Sequence, residues 1–117
     1  WRGPIWVPVI VLLSDSLRRY ALGMAAHLEV EFPTDSGQLR HVVDIADDLD
    51  SRLVGLFRIG PDGRRPSDPR HVPTGPLWQA HPTFSEHFHG DSGAGLGGSH
   101  QTGWTALVAH LVCLGED

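Results

Sequence analysis

The chain has 117 residues, 40 % of them hydrophobic, and a net charge of −5. That length suits one small domain, and an acidic chain with no basic face excludes nucleic acid and an anionic membrane surface as expected partners. Its nine basic residues are all Arg, and the single cysteine, Cys113, has no internal disulfide partner.

The first element is a helix over Ile5 to about Ala26. Pro4 fits a first helical turn, where its missing N–H is no loss. Leu12, Leu13, Leu17, Tyr20, Ala21 and Met24 recur at helical spacing, with Arg18 and Arg19 on the other side. Pro8 marks a kink or a late start. The apolar stretch from Ile5 to Leu13 is far shorter than the ~20 apolar residues that span a bilayer.

Pro33-Thr34-Asp35-Ser36-Gly37 reads as a loop, with Asp35 or Ser36 expected to cap the next helix. That helix carries the stripe Val42, Ile45, Ala46, Leu49, Leu53, Leu56 and Phe57. Asp44, Asp47, Asp48 and Asp50 lie mainly on its wet face, with Arg52 available for surface pairing. Pro61-Asp62-Gly63 is a turn: Pro fixes φ and Gly accepts positive φ. Irregular chain then runs to about Gln101, a length that points to a functional loop. A last helix is expected over Gly103 to Leu114, capped by Thr102, with Cys113 as a buried, inert thiol. The expected fold is therefore all-α.

Residues 84–104 hold the densest chemistry: Glu86, His87, His89, Asp91, His100 and Gln101 among closely spaced glycines and aromatics. Glycines allow unusual φ values and close backbone approach to a ligand. Three chemistries compete there. His87, His89, Asp91 and His100 are metal donors, but His-x-His does not define a full ligand set. Gly93 to Gly98 has the form of a dinucleotide-binding glycine pattern without the β-branched strand that should precede it. The third, glycoside hydrolysis, needs carboxyl groups flanking the scissile bond and aromatic faces for sugar rings. Glu86 and Asp91 are the loop carboxylates; Trp1, Trp6, Trp78 and Trp104 are the candidate platforms. Neither a metal nor a cofactor is expected.

Four segments, in order, resemble family 63 glycoside hydrolases and their bacterial relatives. They are Trp1-Arg2-Gly3-Pro4-Ile5-Trp6-Val7-Pro8-Val9, Glu31-Phe32-Pro33-Thr34-Asp35-Ser36-Gly37, Gly63-Arg64-Arg65-Pro66, and the run from His87 to Thr105. The last is the most specific. The chain departs from the family pattern at Ser85, where the family carries Tyr, and at His87, where it carries an aromatic. It also departs at Ile10, Phe32, Asp35 and Ser92.

The resemblance implies an (α/α)6 barrel, with residues 1–117 as a C-terminal fragment supplying its last few helices and long irregular active-site loops. The cut look of both ends fits that expectation. It also implies an inverting α-glycosidase, α-glucosidase-like, acting on oligosaccharides or small glycosides. Glu86 matches the family's general base, and the general acid is expected upstream of this segment. Trp1, Arg2, Gly3 and Trp6 are expected to line the sugar site, joined by His89, Gln101 and Trp104. The expected partners are a carbohydrate substrate and the remainder of the same barrel. The alternative is a non-catalytic carbohydrate-binding or structural remnant.

Overall fold

The computed structural model describes residues 3–24 and 27–115. Among them are four helices and two antiparallel two-stranded sheets. The order is α1 (Val7–Met24), β1 (Glu29–Glu31), β2 (Leu39–His41), α2 (Val42–Gly55), α3 (Pro76–Ala80), β3 (His87–Phe88), β4 (Gly95–Leu96) and α4 (Leu107–Leu114). This overturns the all-α, partial (α/α)6-barrel expectation: the molecule is mixed α and β. The chain divides into two compact units, Val9–Arg52 and a second made of the residues up to Pro8 with Leu53 onward.

In the unit spanning Val9–Arg52, the Pro33–Gly37 cluster is a hairpin turn. Glu29 pairs with His41, Val30 with Arg40 and Glu31 with Leu39. The Glu31 carboxylate accepts from Gly37 N at 2.6 Å, and Gly37 takes φ +70. Asp35 and Ser36 therefore do not cap a helix. The hairpin runs straight into α2, whose first amide, Val42 N, donates to Leu28 O at 3.2 Å. Two guanidinium groups lie over the Phe32 ring, with Arg40 and Arg52 Cζ at 5.6 and 5.7 Å from its centre.

Helix α1 starts two residues later than its pattern suggests, so Pro8 falls in the first turn, where no hydrogen bond is lost. Its buried positions are Val7, Ser14 and Ala21, while Leu12, Leu13 and Tyr20 are exposed. The first two turns, Val7 to Leu13, are apolar throughout, so spacing alone does not select a face there. Electrostatics marks the face turned to α2. Arg18 forms ion pairs of 2.7 Å with both Asp47 and Asp50. Burial alone lowers the Arg18 pKa, but the two carboxylates outweigh it and raise the value. On α2 the expected stripe holds at Val42, Ile45, Ala46 and Leu53, all buried. Arg52 pairs with Asp48 one turn earlier, at 2.8 Å.

The second unit has Phe88 at its centre, with no exposed surface. The Phe57 ring meets Phe88 edge-on, with centres 5.7 Å apart, and lies tilted against Phe84 at 5.8 Å. Arg65 is also buried. Its guanidinium donates to the carbonyls of Phe57, Trp78 and Gln79, tying α3 to the turn that follows α2. The irregular stretch after Gly60 is thus ordered by side chain to backbone bonds rather than by a continuous ladder. Helix α4 begins at Leu107, not Gly103, and Thr102 does not cap it; residues 102–106 are turn. Cys113 is exposed, not buried.

Candidate functional site

The site is built on a short hairpin. β3 and β4 pair His87 with Leu96 and Phe88 with Gly95. Gly93, at φ +73, lies in the connecting turn, where its N–H donates to His89 O at 2.8 Å. The segment before α1 adds itself to the free edge of β3. Ile5 N donates to Phe88 O at 2.7 Å, and Phe88 N donates to Ile5 O at 2.9 Å. This bridge brings Trp6 beside His87 across about eighty residues of chain. The Trp6 and His87 rings stack with centres 4.6 Å apart. Trp104 approaches Trp6 edge-on at 6.3 Å, with an interplanar angle of 84°.

Glu86 immediately precedes β3, and its backbone neighbourhood is held from several directions. Gln101 N donates to Phe84 O at 2.7 Å. The buried Thr105 hydroxyl donates to Ser85 O at 2.5 Å. Glu86 N donates to Gly98 O at 2.8 Å. The carboxylate is then oriented by one more bond, Gly98 N to Glu86 Oε2 at 3.0 Å. Oε1 has no protein donor among the described residues. A carboxylate with one oxygen anchored and the other open is suited to taking a proton from water.

Two glycines make this close packing possible. Gly97 adopts φ +73, and a Cβ there would lie 2.6 Å from Glu86 Oε2 and 2.9 Å from the His87 ring. Over Gly98, a Cβ would lie 3.7 Å from Glu86 Oε2 and 3.3 Å from Gln101 Nε2. The Gln101 amide and the Glu86 carboxylate therefore flank one point of backbone. Ser85 is likewise explained by its surroundings. It is buried against Gly95, where any Cβ would strike its hydroxyl. No space exists there for a large side chain.

The structure thus gathers Trp6, Glu86, Gln101 and Trp104, with His87 between the first two. His87 occupies one face of Trp6, so the more open aromatic surface belongs to Trp104, which is 43 % exposed. The Nδ1 atom of His87 is buried without a partner among the described residues. Gly3 sits at φ +92, and its carbonyl lies against Gly90, where a Cβ has no room. Trp1 and Arg2 lie outside the described residues. His89 is engaged by its own loop: Nδ1 accepts from Asp91 N at 3.2 Å and from Ser92 N at 3.4 Å. Among the described residues, no three His, Cys, Asp or Glu side chains converge in a metal-holding group.

Sequence reasoning missed Thr105, Gly97 and Gly98 as positioning residues. Gly97 and Gly98 lie in the Gly-rich run that the sequence marks as dense in chemistry and Thr105 directly follows it, but their contacts depend on tertiary pairing.

No protein-family model matches the chain, and no solved structure matches it. It is 38 % identical over 116 residues to a protein of Saccharomyces cerevisiae described as Uncharacterized protein YMR196W. The match covers 96 % of this chain and 11 % of the yeast protein, so the chain spans about a ninth of that relative's length.

Proposed function

We propose that this chain carries the general-base half of an inverting α-glycosidase site, α-glucoside-directed and similar to the family 63 glycoside hydrolases. Glu86 Oε1 takes a proton from a water molecule as that water attacks the anomeric carbon. The C–O bond to the leaving group breaks on the opposite face, and the departing oxygen takes a proton from an acid supplied by residues outside this chain. Inverting pairs stand roughly 6.5–9.5 Å apart, because a water must fit between base and sugar. Asp91 belongs to the far turn of the β3–β4 hairpin and is not assigned the acid role.

The observation that carries this reading is the clamped carboxylate beside the tryptophans. Gly98 N fixes Oε2 while Oε1 has no protein donor among the described residues, and the adjacent His87 stacks on Trp6, which Trp104 meets edge-on. Aromatic faces bind the apolar side of a pyranose, and an amide such as that of Gln101 bonds its hydroxyls. Because His87 covers one Trp6 face, Trp104 is assigned the stacking role.

A second reading is sugar binding without turnover, favoured by the same aromatic faces and by the lack of a second carboxylate beside Glu86 among the described residues. Tryptophan fluorescence titration with methyl α-glucoside tests the shared part of both. Saturable quenching that Trp104→Ala abolishes and Glu86→Gln preserves supports a sugar site here. Absence of any saturable change defeats both readings.

A further inference from the structure

A second feature involves the Ser92–Ala94 turn of the same hairpin and is not lined by Glu86. The 60–70 turn region and the Ser92–Ala94 turn enclose an open cleft of about 520 Å³. Arg64, Arg65 and Arg70 line it, with Asp62 and Asp68. Three positive groups face two negative ones, and both carboxylates already have local duties. Asp62 Oδ1 accepts from Arg64 N at 3.1 Å, and Asp68 Oδ2 accepts from Arg65 N at 2.8 Å. The ion pairs among the described residues use Arg18, Arg19, Arg40, Arg52 and His41, and none of these three arginines.

Among the described residues, the Arg64 and Arg65 side chains therefore donate to backbone carbonyls rather than to carboxylates. Arg65, only 8 % exposed, donates to three carbonyls, and Arg64 donates to Pro69 O and Val72 O. Arg70 is exposed and has no side-chain partner among the described residues. Carbonyl dipoles orient a guanidinium but do not neutralise it, so a buried arginine beside an open cleft favours an incoming anion. The guanidinium fork matches carboxylate and phosphate oxygens two at a time.

We propose that this cleft is a binding site for a small oxyanion, a carboxylate or phosphate group either free or carried by a larger solute. Arg70 and the unused N–H groups of Arg64 contact it, Arg65 supplies fixed charge from below, and the Ser92 hydroxyl adds a donor from the hairpin. The site is independent of the Glu86 reading and survives its failure.

The test is titration of the isotopically labelled chain with sodium phosphate and, separately, sodium acetate. Sodium chloride holds ionic strength constant, because exposed charges are screened by salt. Amide shifts of Arg64, Ser92 and Ala94 should move and saturate with at least one oxyanion. Phosphate alone, acetate alone or both then identify the preferred head group. Arg70→Gln should weaken binding about tenfold, the loss expected for one charge-assisted hydrogen bond. Arg58→Gln removes the same charge outside the cleft lining and should leave the affinity unchanged. Shifts no larger than chloride produces, or equal weakening by both variants, overturn the proposal.

Discussion

Glu86 and Gly98 hold each other twice: Glu86 N donates to Gly98 O at 2.8 Å, and Gly98 N donates back to Glu86 Oε2 at 3.0 Å. The backbone bond sets where residue 86 sits, and the second bond sets where its carboxylate points. A glutamate orients less freely once one oxygen is anchored, so the other can face a single direction without a further entropic cost.

Gly97 is the position where this arrangement is most easily broken. An added Cβ would be strained at φ +73 and would press on both Glu86 Oε2 and the His87 ring. Gly97→Ala should cost about 1–3 kcal/mol in stability and should weaken methyl α-glucoside binding. At Gly103 an added Cβ would meet nothing within 4 Å, so Gly103→Ala should stay within about 0.5 kcal/mol of the parent. Urea unfolding of the two variants checks the contrast; equal losses would show that Gly97 has no special contact.

Thr105 tests the anchoring of the strand itself. Thr105→Val keeps the shape of the buried side chain and removes the donor to Ser85 O. The orphaned carbonyl should cost about 1–3 kcal/mol. Hydrogen exchange of the Glu86 and Gly98 amides should accelerate in the variant, and unchanged exchange there would separate Thr105 from the site.

Arg65 is the third position to probe, because one side chain satisfies carbonyls of Phe57, Trp78 and Gln79. Arg65→Lys keeps the charge but not the planar fork, so it should still destabilise by about 2 kcal/mol or more. A thermal midpoint equal to the parent's contradicts the hub role.

In the Val9–Arg52 unit, Arg18 sits between Asp47 and Asp50 at 2.7 Å each. Asp50 Oδ1 is buried with no partner among the described residues, so loss of Arg18 leaves that carboxylate poorly compensated. Arg18→Ala should cost about 1–3 kcal/mol, mostly through Asp50. A double-mutant cycle with Asp50→Ala should show coupling of about 1 kcal/mol, against near zero with Asp15→Ala. The raised Arg18 pKa keeps the guanidinium charged below the ordinary arginine value, and its contribution is lost only as pH climbs through the raised one. The coupling should therefore not vary between about pH 6 and pH 9.

Helical periodicity made α1, α2 and α4 legible, because each carries apolar residues over two turns or more. The strands were not legible for a physical reason. β3 and β4 have two residues each, too few for an alternating pattern, and β1 reads Glu-Val-Glu with every position exposed. The Pro33–Gly37 turn was visible, but a turn alone does not say whether its flanks pair. At the site, Glu86 and Trp104 stood out through motif resemblance, while the pairing of Ile5 with Phe88 that delivers Trp6 is a long-range contact no local spacing encodes. The occupation of His89 by its own loop was equally invisible, since it depends on the hairpin turn.

The most direct measurement of the central claim uses α-glucosyl fluoride, whose fluoride departs without needing a proton from an acid. A base-only site should hydrolyse it, and proton magnetic resonance should show β-glucose as the first product before mutarotation. Glu86→Gln should lower that rate about 100-fold or more, the usual contribution of a general base. First-formed α-glucose, or a rate that Glu86→Gln leaves unchanged, would contradict the account.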